Sequence, residues 1–153
     1  MSPMRIAIAG ASGRMGRMLI EATTRDEGAT LVAALDRPDS PAIGEDACAF
    51  LGIRSGVLIR GDVEAALAGA DFLIDFTRPE ATLAHLDVCK RLGVKMIIGT
   101  TGFSDAQRAQ LTEASKELAI VFAPNMAVGV NAVFKLLDVA ARILNSGYDI
   151  EVI

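Results

Sequence analysis

The chain is 153 residues long, carries a net charge of −4, and 52% of its residues are hydrophobic. That length allows one domain with a proper core, and the composition excludes a disordered or collagen-like chain. Acidic and basic residues are interspersed, which excludes a reader of nucleic-acid backbones, and no apolar stretch approaches the length of a membrane span.

The N-terminus runs straight into an apolar segment without the cleavage pattern of a signal peptide. Residues 5–9 read as a first strand, followed by a glycine turn and a helix over residues 14–24. Residues 30–35 read as the second strand, and the Pro-, Asp- and Ser-rich stretch 37–47 as a loop. A weaker third strand is expected at 57–60 and a short helix at 62–67. The fourth strand is expected at 71–76. Pro79 then opens a helix running to Leu92, and Gly93 follows where a C-terminal glycine belongs. Residues 94–98 form the fifth strand. Ser104 and Gln107 have the spacing of a capping box and open the next helix, before a sixth strand at 119–123.

Strands separated by helix-length segments imply right-handed crossovers and an α/β fold with a doubly wound parallel sheet. The absence of tryptophan and the single tyrosine leave an aliphatic core, as such a sheet requires. Beyond the sixth strand, Val130, Val133, Phe134, Leu137, Ala141 and Leu144 fall at helical spacing opposite Asn131, Lys135, Asp138, Arg142 and Asn145. This predicts an amphipathic helix over 130–144. A β-like run at 148–153 has no evident partner, which suggests that the natural protein continues.

The strongest chemical signal is Gly10-Ala11-Ser12-Gly13-Arg14-Met15-Gly16, directly after the first strand. Glycine there allows a tight turn and close approach of backbone to a pyrophosphate, which the free N–H groups of the helix start would bind. Arg14 could add a charge contact. The spacing is Gly-x-x-Gly-x-x-Gly rather than the stricter Gly-x-Gly-x-x-Gly. Asp36 ends the second strand 20 residues after Gly16, where an acid accepts hydrogen bonds from the adenosine ribose. Arg37 follows and could meet the 2′-phosphate of NADP. Together these predict a Rossmann-type domain that binds NADH or NADPH.

Three further segments end strands on the same edge: residues 75–79, 99–103 and 123–126, crests small enough to admit a nicotinamide ring. The single histidine, His85, reads as a solvated or core residue near Asp87 rather than a catalytic one. No cluster with metal-ligand spacing and no phosphate-binding Gly-Lys-Ser/Thr occurs. Cys48 and Cys89, isolated from each other, read as reduced and structural, which fits a soluble cytoplasmic domain.

Four ordered motifs then resemble one family: Gly-Ala-Ser-Gly-Arg-Met-Gly at 10–16, Asp-Phe-Thr-Arg-Pro-Glu at 75–80, Ile-Gly-Thr-Thr-Gly-Phe at 98–103 and Asn-Met-Ala-Val-Gly-Val-Asn at 125–131. They look like those of the bacterial dihydrodipicolinate reductases. The resemblance implies NADH- or NADPH-dependent reduction of 4-hydroxy-tetrahydrodipicolinate, a cyclic dicarboxylate of lysine and diaminopimelate biosynthesis, by a homotetramer. It implies that Gly10, Ala11, Ser12, Gly13, Arg14 and Met15 wrap the pyrophosphate, that Asp36 holds the ribose and that Arg37 contacts an NADP phosphate. Thr77 would lie near the cofactor; Gly99, Thr100, Thr101, Ala123, Pro124, Asn125 and Met126 would line the nicotinamide. Many relatives carry Glu where Asp36 stands, one methylene longer. The family's catalytic His-His-x-His-Lys segment lies in a second domain and does not occur here. The resemblance therefore divides the chain into a dinucleotide-binding domain, 1–126, and a bridging helix with the first strand of a substrate domain, 127–153. No catalytic residue is expected, and the chain alone is expected to bind cofactor without turning over substrate.

Two other readings share the nucleotide motif. A non-catalytic NAD(P)-binding redox sensor would suit a short gene. An active short-chain dehydrogenase would need Tyr-x-x-x-Lys, but Val152 stands four residues after Tyr148. Another two-domain oxidoreductase with a different substrate shares the fold and is separated only by the four ordered motifs.

Overall fold

The computed structural model describes residues 2–149 and 151, and the chain alternates strand and helix nearly throughout. Strand β1 (Met4–Ala9) leads through the glycine turn into helix α1 (Arg14–Arg25) and strand β2 (Ala29–Leu35). After a long loop come β3 (Ile59–Arg60), α2 (Val63–Leu67), β4 (Phe72–Asp75) and α3 (Pro79–Leu92). The remaining elements are β5 (Lys95–Ile98), α4 (Asp105–Ala114), β6 (Ile120–Phe122) and α5 (Val128–Ile143). The six strands form one sheet in the order β3-β2-β1-β4-β5-β6, every neighbouring pair parallel. The chain direction across the sheet reverses between β1 and β4. A crevice therefore opens above their C-terminal ends, where ligands bind in folds of this kind.

Local chemistry sets the boundaries. Gly93 ends α3 with φ +71° and returns its N–H to the Cys89 carbonyl. Ser104 and Gln107 make both bonds of the capping box, at 3.3 Å and 2.9 Å. The third strand is shorter than the sequence predicts. Val57 accepts from the Ala47 N–H at 2.8 Å and Leu58 bridges antiparallel to Asp46, so both pair back onto the preceding loop instead of β2. That loop also contains a 3₁₀ turn at Ala49–Leu51 that its composition does not announce. Asp46 organises the loop by accepting from the N–H groups of Cys48, Ser55 and Gly56 and from the Ser55 hydroxyl. The backbone bonds to Cys48 and Ser55, chief among these, hold its carboxyl at about 2.

Each sheet face is buried by its own helices. Leu73, Met96 and Ile98 pack with Leu67, Leu86 and Leu111 from α2, α3 and α4. Ile6, Ile8 and Leu31 pack with Ile20 of α1 and with Ala42 and Cys48 of the loop. Both cysteines are free and buried; burial, with the nearby Asp75 charge, pushes the Cys89 thiol up to about 12. That keeps it protonated and inert.

Helix α5 forms as its periodicity predicts, but none of its residues is buried. Val128 is 84% exposed and Ile143 74%, while Lys135, Asp138 and Arg142 pair along the polar stripe. Of the β-like run expected at 148–153, Tyr148, Asp149 and Glu151 form no strand; Ile150, Val152 and Ile153 lie outside the described residues.

Candidate functional site

The site grows from the turn between β1 and α1. Gly10 takes φ +69°, and its carbonyl accepts from the Gly13 N–H at 3.0 Å, closing the turn. A Cβ on Gly10 would meet the Thr77 methyl at 3.1 Å. One on Gly16 would stand 2.0 Å from the Gly10 carbonyl oxygen, so only glycine lets α1 sit this close to the turn. Gly13 caps α1 without a side-chain hydrogen bond, and no acid occupies the first turn. The orphan N–H groups and the positive end of the helix dipole are left for an anion.

Asp36, just past β2, fastens this turn. Its Oδ2 accepts from the Ser12 N–H at 2.9 Å and its Oδ1 from the Arg37 N–H at 2.8 Å. A carboxylate has lone pairs to spare beyond these two bonds. The Arg37 side chain is 75% exposed and, among the described residues, meets only Asp39, at 3.6 Å, so it is free to swing toward a ligand.

Above these groups lies a cleft of about 830 Å³, well matched to a cofactor-sized ligand. Gly10, Ser12, Gly13, Arg14, Met15, Asp36, Arg37 and Thr77 line it, all named from the sequence. Ala11 is buried beneath them. Gly99, Thr100, Thr101, Ala123, Pro124, Asn125 and Met126 lie outside its walls, further along the crest where β5 and β6 end. Gly99 still shapes it, because a Cβ there would stand 2.0 Å from the Phe76 ring, which forms part of the wall. Thr100 is buried, its hydroxyl 2.9 Å from that of Thr82.

Several lining residues were not picked out by sequence reasoning, among them Pro38, Gly61, Ala81 and His85. Gly61 has a steric reason: a Cβ would press on Pro38 Cα at 2.8 Å. His85 corrects the sequence expectation. Its partner is not Asp87 but Asp75, with Nδ1 2.7 Å from Oδ2, and the ring faces the cleft. The available signal was the i, i+4 spacing of Ala81 and His85, which puts both on one face of α3, with Arg78 at its N-cap. Asp75 is fully buried. Burial works against its ionisation, but the hydrogen bond and charge of His85 and the bonds from Thr77 prevail, holding it below the usual carboxylate range.

Four cationic or potentially cationic side chains, Arg14, Arg37, Arg78 and His85, thus face one cleft in an acidic chain. Glycines at 10, 13 and 16 let the turn, Thr77 and α1 pack this closely, since a Cβ at each would meet the Thr77 methyl or the Gly10 carbonyl. The donor set therefore fits a dinucleotide. Among the described residues, no group of three or more His, Cys, Asp or Glu is placed to hold a metal, and no helix is long and apolar enough to cross a membrane.

The family model described as "Dihydrodipicolinate reductase, N-terminus" matches residues 4–126. The chain belongs to the dihydrodipicolinate reductase family. The 4-hydroxy-tetrahydrodipicolinate reductase of Cupriavidus pinatubonensis is 68% identical over 150 residues, covering 98% of this chain and 57% of that protein. That of Aromatoleum aromaticum is 63% identical over 153 residues, all of this chain and 55% of the relative. The chain thus spans little more than half the length of the curated dihydrodipicolinate reductases it matches. A dipicolinate-bound dihydrodipicolinate reductase from a Paenisporosarcina species superposes with TM-score 0.73 at 29% identity, over 91% of this chain and 54% of that one. A Synechocystis biliverdin reductase shares the fold, with TM-score 0.67 at 17% identity over 90% of this chain and 43% of that one.

Proposed function

We propose that this chain is the cofactor-binding part of an NADH- or NADPH-dependent reductase acting on 4-hydroxy-tetrahydrodipicolinate in lysine and diaminopimelate biosynthesis. The observation that carries the reading is the glycine turn fastened to Asp36 at the switch point of the sheet, in a chain of this family. When bound, the dinucleotide supplies a hydride to the substrate. Gly10, Ala11, Ser12 and Gly13 form the turn that wraps its pyrophosphate, the Ala11, Ser12 and Gly13 N–H groups being engaged within the fold. Arg14 and Met15 offer the open N–H groups of the helix start, and Arg14 adds its charge. Asp36 accepts from ribose hydroxyls, and Arg37 meets the 2′-phosphate of NADPH. Thr77, Gly99, Thr100 and Thr101, with Ala123 to Met126, form the crest on which the nicotinamide rests. The protein's task here is orientation and exclusion of water rather than bond-making.

The dinucleotide-binding domain is 1–126 and the bridge to a substrate domain is 127–153. The family match ending at 126 and the absence of buried residues in α5 support that division. The exposed apolar residues of α5 support its burial in a larger protein, which we read as a cytoplasmic homotetramer. On this reading the chain by itself binds cofactor without turning over substrate.

Calorimetric titration with NADH and NADPH at matched ionic strength tests this. Both are expected to bind, and Arg37→Ala is expected to weaken NADPH on the order of tenfold or more while leaving NADH unchanged. Equal weakening of both would remove Arg37 from the phosphate site. Binding of neither would overturn the reading.

A further inference from the structure

Asp75 is the only carboxylate buried among the described residues, and it does not line the cleft. Its Oδ1 accepts from the Thr77 N–H at 2.9 Å and the Thr77 hydroxyl at 2.6 Å; its Oδ2 faces His85 Nδ1 at 2.7 Å. An ionised carboxylate can only accept, so His85 Nδ1 carries a proton and donates it. The other ring nitrogen has no hydrogen-bond partner among the described residues, yet no buried side-chain polar atom is left unpaired. Nε2 is therefore accessible, and the surface His85 lines is the cleft.

The position in the cleft narrows what Nε2 can meet. His85 lines one cleft with the glycine turn, with Phe76, Thr77 and Arg78 past β4 and with Asp36, Arg37, Pro38 and Ser40 past β2, whereas the crest above β5 and β6 lies outside it. In a sheet of this kind the adenosine lies against the acid that ends the second strand. We propose that Asp75 is a positioning residue for dinucleotide binding: it fixes the His85 ring so that Nε2 hydrogen-bonds the adenosine group. The same carboxylate holds Thr77 against the glycine turn, so one buried charge sets two walls of the cleft. This rests on the dinucleotide reading above.

Two substitutions separate positioning from mere structural pairing. His85→Asn keeps an amide where Nδ1 meets Asp75 and removes the cleft-facing nitrogen. Asp75→Asn must keep its carbonyl toward the Thr77 N–H, so its NH₂ faces His85 and reverses the tautomer. Because the chain has one histidine, nitrogen NMR of labelled protein reports this ring alone. The proton is expected on Nδ1 in the parent and on Nε2 in Asp75→Asn. ADP-ribose is expected to shift the Nε2 resonance, and nicotinamide mononucleotide to leave it in place. His85→Asn is expected to melt near the parent temperature yet bind ADP-ribose on the order of tenfold more weakly, with His85→Gln recovering part of the loss. If NADH binds while Nε2 stays unmoved and His85→Asn binds like the parent, the proposal falls and the cofactor reading survives. If the parent binds neither NADH nor ADP-ribose, both fall together.

Discussion

Gly16→Ala is expected to abolish measurable dinucleotide binding and to cost about 3 kcal/mol of stability. The added Cβ would stand 2.0 Å from the Gly10 carbonyl oxygen, 2.7 Å from its carbon and 2.9 Å from Ala11 Cα. All three are backbone atoms, so no rotamer change relieves the clash. Helix α1 must lift away from the turn, breaking the bond from the Gly13 N–H to that same carbonyl. The N–H groups at the helix start then lose their common aim, and Ser12 moves off Asp36. Denaturant melts and NADH titration read the two losses separately. Gly129→Ala in α5 is the control, since nothing lies within 4 Å of its added Cβ. There the change raises helix propensity and is expected to be neutral or slightly stabilising. Similar behaviour of the two variants would contradict the packing argument.

Asp75→Ala is expected to have the next largest effect, a loss of about 3 kcal/mol at neutral pH. It strands the Thr77 N–H and His85 Nδ1 in a buried place and opens a cavity beside Thr100. The loss should depend on pH in a definite direction. The folded protein holds the Asp75 carboxyl below its ordinary value, so its contribution is complete above that value. It disappears as pH falls through the lower folded-state value. The stability difference between parent and variant should therefore persist from neutral pH down to about 4 and shrink below it. Urea melts across that range test this; a difference that grows on acidification would mean the carboxyl is protonated in the fold.

Much of the fold could be read along the chain because its signals are local. Apolar runs such as Phe72–Asp75 and Lys95–Ile98 lie between helices whose ends are marked by Pro79, Gly93 and Ser104. The glycine turn and Asp36 were legible for the same reason. What escaped depended on contacts between distant segments. His85 meets Asp75 ten residues away because β4 ends where α3 folds back over it, whereas helical spacing alone offers Asp87. Val57 and Leu58 look like strand but pair with the preceding loop, a choice made by Asp46 and its network of N–H donors. The apolar stripe of α5 was plain in the sequence, and none of its residues is buried in the structure. The crest residues Gly99 to Thr101 and Ala123 to Met126 were legible only through family motifs, since glycine, threonine and proline mark ordinary turns as well.

The central claim is that a dinucleotide lies across the glycine turn and Asp36. Hydrogen–deuterium exchange of the chain with and without saturating NADH tests it most directly. Slowed exchange is predicted in residues 11–16, 36–38 and 76–78, with α5 unchanged. Protection confined to α5, or no change at the glycine turn when NADH is bound, would contradict it.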